Sequence, residues 1–173
     1  MTTERTADEQ ERADLLETLS THRSFLRHTV RDLTDEQARR RTTVSDLCLG
    51  GLIKHLTRVE RRWADFIVRG PQAMSPGGQE AMKAHADSFC MLDGETLEGL
   101  LEGYAEVARR TDDLVASLPS LDASQPLPEA SWYKPGARWS ARRVLLHLIA
   151  ETAQHAGHAD IIRESLDGAK TMG

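Results

Sequence analysis

The stretch from residue 140 to residue 168, SARRVLLHLIAETAQHAGHADIIRESLDG, constrains the fold more than any other part of the chain. On an α-helix that turns about 100° per residue, the side chains of His147, Glu151, His155 and His158 lie within a stripe roughly 80° wide. Leucine, isoleucine and valine residues flank this stripe, so the pattern predicts a helix with a polar seam in a mostly apolar surface. Burying imidazoles and a carboxylate without partners is costly, and a divalent cation or a hydrogen-bond network normally offsets that cost.

Apolar residues three and four positions apart predict three further long helices. The four helices are expected over residues 7–33, 45–69, from 93 or 96 to 118, and from 140 to 167. No segment has the pattern of a credible strand. The fold class is therefore predicted to be all-α, a four-helix bundle forming a single domain over residues 1–173.

Capping residues set the expected ends of these helices. Ser45 and Ser140 are the expected N-caps of the second and fourth helices, and Gly168 is expected to end the fourth. Thr34 with Gln37 has the spacing of a capping box, which predicts a short helix or turn before the second long helix.

Two glycines, Gly50 and Gly51, fall inside the predicted second helix. Glycine in a helix costs about 1 kcal/mol relative to alanine, so the pair indicates that another backbone or a ligand approaches closely. The alternative is that this helix starts only after Gly51.

Two irregular connections separate the later helices. Residues 71–93 form a long crossover between the second and third helices, which is either a lid over a site or a plain surface connection. Residues 120–139 are rich in proline and turn residues, and they carry Trp132, Tyr133 and Trp139. These aromatic residues are expected to pack the end of the bundle, and the alternative is that they line the mouth of a pocket.

Composition excludes several classes of protein. The net charge of −5 gives no clustered basic face for nucleic acid, and the two cysteines, Cys48 and Cys90, lack the spacing of a cysteine zinc site. No apolar run approaches the roughly 18 residues of a membrane span, and the polar N-terminus is unlike a signal peptide. A cytoplasmic protein without nucleic-acid or membrane partners is expected.

The donor residues predict an open metal site rather than a closed one. Two donors four residues apart on one helix can reach one ion, and His55 on the inner face of the second helix could supply a third, since bundle cores hold such sites. Three protein donors leave a position for substrate, which is the pattern of catalytic sites. The chain has neither the Glu-x-x-His pairs of a di-iron centre nor the H-E-x-x-H of a metalloprotease.

Two segments carry a family resemblance. LGGLIKHLTRVERRW on the second helix and WSARRVLLHLIAETAQHAGHAD on the fourth resemble the DinB-like superfamily of metal-binding four-helix bundles. That superfamily includes bacillithiol and mycothiol S-transferases and the N-terminal domain of mycothiol-dependent maleylpyruvate isomerase. The resemblance implies His55, Glu151 and His155 as metal ligands and a homodimer as the assembly. Histidine and carboxylate together tolerate zinc, nickel, iron or manganese, and zinc is the first expectation with nickel next.

One position departs from the family pattern. His158 stands where the family segment usually ends in glutamine, so it is a candidate acid/base group, ligand-supporting residue or fourth metal ligand. His147 is a candidate for the first two of these roles. Both are predicted as catalytic residues.

The function implied by the resemblance is a metal-dependent thiol S-transferase. A low-molecular-weight thiol such as mycothiol would be held as a thiolate and attack a small electrophile, since metal coordination deprotonates thiols. Two alternatives stay open: a metal-dependent hydrolase or isomerase, and a non-catalytic, stress-related bundle whose histidines satisfy one another.

Overall fold

Helices dominate the computed structural model, which describes residues 6–74, 78–131 and 133–171. Its elements are α1 (Ala7–Thr29), α2 (Asp35–Arg39), α3 (Leu49–Arg69), a 3₁₀ helix (Gly70–Ala73), α4 (Gln79–Asp87), α5 (Leu97–Ser117), β1 (Ser124–Pro126), β2 (Arg138–Ser140) and α6 (Ala141–Asp167). The predicted all-α class is confirmed. The predictions for Trp132 and for residues 75–77 of the crossover lie outside the described residues.

Local capping explains where several helices begin and end. The side chains of Thr34 and Gln37 form the predicted capping box at the start of α2. Ser140 accepts a hydrogen bond from the Arg143 amide at the start of α6, and Gly168 ends that helix in the left-handed conformation. The predicted caps of α2 and α6 are thus confirmed.

The predicted start of the second long helix is wrong. The helix begins at Leu49, where the Cys48 sulfur accepts a hydrogen bond from the Gly51 amide. Ser45 cannot cap it because its hydroxyl accepts from the Leu47 amide in the preceding turn. The first helix also ends before the predicted residue 33, because the Val30 amide bonds the carbonyls of Arg27 and His28 and closes the last turn.

Both connections hold more regular structure than the sequence predicts. The crossover after α3 contains the 3₁₀ helix and α4 instead of an irregular loop. The proline-rich connection before α6 contains an antiparallel strand pair in which Gln125 is opposite Trp139. The prediction that the chain has no strand is therefore wrong, although this ribbon has only three residues in each strand.

The long helices pack around two apolar clusters. Helix α1 lies against α6, α6 against α3, and α3 against α5, with α5 also touching α1. The first cluster includes Leu26, Leu52, Leu56, Tyr104 and Ile162. The second includes Leu19, Phe66, Val115, Leu145 and Leu148. Among the described residues, no helix combines the length and the apolar character that crossing a lipid bilayer requires.

An ion pair lies inside this core. Arg23 of α1 donates from Nε and Nη2 to both carboxylate oxygens of Glu60 on α3, and Nη1 donates to Asp112 of α5 at 2.9 Å. Arg23 and Glu60 are 5% and 2% exposed. A buried charge needs such partners. Arg23, by bonding both Glu60 and Asp112, therefore connects α1, α3 and α5.

The glycine pair in α3 marks a close approach of backbone, as the sequence indicates. A Cβ on Gly51 would overlap the carbonyl oxygen of Phe89, and a Cβ on Gly50 would press on the side chain of Met91. Residues 89–91, which follow α4, thus lie directly on the first turn of α3. At position 51 only a residue without a side chain fits against this backbone.

Replacing Gly51 with alanine should destabilise the fold by about 1–3 kcal/mol, because the backbone of Phe89 cannot yield as a flexible side chain would. Gly103→Ala on α5 is the matched control, since a Cβ there meets nothing within 4 Å. It should be neutral or stabilise by up to about 1 kcal/mol, as expected for alanine in a helix. Urea denaturation of both variants measures the difference, and equal stabilities would contradict the close approach.

Candidate metal centre

Three donor residues converge between α3 and α6. One ligand atom from each of His55, Glu151 and His155 lies within 4.8 Å of the others. The rings of His55 and His155 are edge to face, with centroids 5.0 Å apart. Glu151 and His155 are one turn apart on α6, so their spacing aims both at the inner face of α3.

Burial keeps the imidazoles of this cluster neutral. Loss of solvent around His55, reinforced by His155, His85 and Arg58, lowers the pKa of His55 to about 3. Burial also lowers the pKa values of His147 and His155, although Glu151 opposes the shift in both cases. A neutral imidazole has a free lone pair, which is the form that binds metal ions.

Each of the three donors has a polar neighbour of its own. The Nδ1 atom of His55 lies 3.2 Å from the hydroxyl of Ser88. Oε1 of Glu151 lies 3.7 Å from Nε2 of His147, while its other oxygen lies 3.7 Å from Nε2 of His155. Nδ1 of His155 lies 3.4 Å from Nδ1 of His158.

The direction of the contact between His155 and His158 depends on the tautomer of each ring. In the tautomer that leaves Nε2 of His155 free for a metal ion, its Nδ1–H donates to His158, which then carries its own proton on Nε2. In that form His158 orients the ring of His155. His147 and His158, predicted as catalytic residues, thus lie beside two of the donors, Glu151 and His155.

Aromatic rings flank the three donor residues on both sides along the interface between α3 and α6. Phe89 stacks on His55 with centroids 3.9 Å apart and planes 21° from parallel, and His85 lies edge-on to both rings. At the other end, Trp63 stacks on Trp139 at 4.7 Å, and both indoles meet the ring of His147. The predicted packing role of Trp139 is confirmed.

Sequence reasoning missed the residues that the crossover brings to the centre. Ser88 and Phe89 contact His55, yet they are more than thirty positions away in a segment without helical periodicity. The length of the crossover predicts either a lid over a site or a plain surface connection. Nothing in the sequence indicated which of its side chains would face His55.

The donor set suits a divalent cation with an open coordination sphere. Two imidazole nitrogens and one carboxylate oxygen are ligands that zinc, nickel, iron and manganese all accept. Three protein donors are one fewer than a tetrahedral ion requires, so one position is left for a substrate atom. The neutral imidazoles and the outer partners of each donor fit such an ion.

Comparison with known families gives the context of this site. Residues 14–168 match the family model of mycothiol S-transferases, a family within the DinB-like superfamily. The match includes all three converging donors and both flanking histidines. No curated protein matches the chain. The predicted resemblance is confirmed, and the chain belongs to the mycothiol S-transferase family.

Proposed function

We propose that the protein is a divalent-metal-dependent S-transferase that joins a low-molecular-weight thiol, such as mycothiol, to a small electrophile. The observation that carries this proposal is the convergence of His55, Glu151 and His155 to within 4.8 Å in a chain of this family. Zinc is the first candidate cation and nickel the second. We further propose that the four long helices form a DinB-like four-helix bundle, with the crossover between α3 and α5 covering the centre.

The chain supplies the geometry for the reaction. When bound, the cation supplies the Lewis acidity that makes a thiol ionise near neutral pH. His55, Glu151 and His155 would hold it, and three protein donors leave a coordination position for the thiol sulfur. The flanking aromatic rings limit access of water to the three donor residues. With less water present, the attraction between a bound cation and a thiolate is stronger.

The transfer forms one bond and breaks two. The thiol sulfur forms a bond to the electrophilic carbon, the leaving group departs with its electron pair, and the thiol proton passes to solvent. His147 and His158 are half-buried, so either imidazole can relay that proton to water. Their second role is to hold Glu151 and His155 in orientation, as outer partners of metal ligands commonly do.

The first prediction concerns metal content. Protein purified without a histidine tag should hold about one equivalent of divalent metal per chain, and His55→Ala and His155→Ala should each lose it, because two donors bind too weakly. His22→Ala on α1 is the control and should keep the metal. Elemental mass spectrometry measures all four samples. A wild-type protein that stays empty after incubation with zinc or nickel would refute the metal site.

The second prediction concerns the reaction. Metal-loaded protein should accelerate the formation of a thioether from mycothiol and a fluorogenic electrophile such as monochlorobimane, and a chelator should abolish the acceleration. Mass spectrometry of the product identifies the new carbon–sulfur bond. Turnover of a substrate by hydrolysis or isomerisation without any added thiol would instead support a different activity of the same centre.

The third prediction separates the flanking histidines from the ligands. His147→Ala and His158→Ala should each weaken metal affinity or the transfer rate by about 10- to 100-fold, because they remove an outer partner but no ligand. Saturating metal should restore metal content in both variants, whereas it should fail in His55→Ala. Titration with a competing chelator gives the affinities, and an unchanged affinity and rate in both variants would contradict the roles assigned to them.

A further inference from the structure

Ser88 occupies a defined place at the end of α4. It follows the last residue of that helix, and its amide bonds the carbonyls of Ala84 and His85. Only 2% of the residue is exposed. Its hydroxyl is therefore enclosed between the last turn of α4 and the ring of His55.

The hydrogen bonds of Ser88 determine where its single proton lies. The hydroxyl is 2.6 Å from the carbonyl oxygen of His85, which can only accept, so the serine donates that proton to His85. The same oxygen lies 3.2 Å from Nδ1 of His55. Since the serine proton is already used, Nδ1 of His55 must be the donor in this second bond.

This arrangement selects one form of the His55 ring. A neutral imidazole that carries its proton on Nδ1 has its lone pair on Nε2. We infer that Ser88 is a positioning residue, which fixes His55 in the Nδ1–H tautomer so that Nε2 is free for a metal ion. The inference rests on the proposed metal site, but the tautomer itself exists in the metal-free protein.

The same contact connects the crossover to the centre. Phe89, the next residue, stacks on His55, and Arg58 of α3 donates to the Ala84 carbonyl at 2.7 Å in the same turn of α4. Packing of this turn against His55 favours the Nδ1–H tautomer, which leaves Nε2 free for a metal ion. Metal binding must then stabilise the same packing by an equal free energy, because linkage is reciprocal. The end of α4 is thus part of the ligand-holding structure.

Three variants test the role of Ser88. Ser88→Ala removes the acceptor for His55, and Ser88→Thr keeps a hydroxyl and should rescue it. Ser117→Ala is the matched control, because the Ser117 hydroxyl donates to the carbonyl three residues earlier in the same way, at an exposed position on α5. Circular dichroism and thermal unfolding establish that each variant is folded before the site is measured.

Nitrogen-15 NMR of the histidine rings in the metal-free protein reads the tautomer directly. Wild type, Ser88→Thr and Ser117→Ala should show His55 protonated on Nδ1, while Ser88→Ala should show a shift of the proton toward Nε2. Chelator competition should show about 10- to 100-fold weaker zinc binding in Ser88→Ala, as for loss of other outer partners. Hydrogen exchange of residues 84–89 should slow on zinc binding in wild type and less so in Ser88→Ala.

The outcomes separate this inference from the proposed function. An unchanged His55 tautomer in folded Ser88→Ala overturns the inference, whether or not the protein binds metal. Unchanged zinc affinity in that variant overturns it as well. A tautomer shift in Ser88→Ala, together with a wild-type protein that binds no metal, supports the assignment of the proton and refutes the metal-dependent transferase.

Discussion

Two polar side chains on the inner face of α3 impose the main constraint on this fold. His55 and Glu60 are 5% and 2% exposed, and a buried polar group without a partner is costly. Glu60 is satisfied by Arg23, which brings α1 and, through Asp112, α5 against α3. His55 is satisfied by Ser88, which brings the end of α4 to the same helix. Much of the arrangement around α3 follows from these two requirements.

The side chains of Glu60 and His55 differ in whether a polar atom is left free for a ligand. Both carboxylate oxygens of Glu60 accept hydrogen bonds from the guanidinium of Arg23, so its negative charge is neutralised within the core. The imidazole of His55 uses one nitrogen for the protein and keeps the other available. Burial, reinforced by His155, His85 and Arg58, lowers the pKa of His55 and keeps that second nitrogen unprotonated. A residue of the candidate metal site and a fully paired carboxylate thus lie within two turns of the same helix.

The sequence predicts the parts of this protein that depend on local patterns. The course of α6, its Ser140 cap and the common face of Glu151 and His155 all follow from helical periodicity and capping. That His55 opposes them came from its inward position and from the resemblance to the DinB-like superfamily. These local signals are strong because the interactions behind them span only three or four residues.

Features that depend on tertiary contacts could not be predicted from the sequence. The start of α3 depends on the Cys48 sulfur, a rare cap, and on the backbone of residues 89–91 lying against its first turn. The strands β1 and β2 are too short to show an alternating pattern. Ser88 could not be found because its role depends on a contact across 33 positions of the chain. Homodimerisation and a cytoplasmic location stay predictions.

The regular spacing of the donor residues on α6 is compatible with more than one register of this helix against α3. His147, Glu151 and His155 follow one another at four-residue steps, so a slip of α6 by one turn, about 5.4 Å, would present a histidine–carboxylate pair to His55 again. The donors alone therefore do not specify their own register. The stacked indoles of Trp63 and Trp139, with His147 against both, have no such repeat along α6. Contacts outside the donor set therefore distinguish the two registers, and the aromatic cluster two turns further along α3 is one of them.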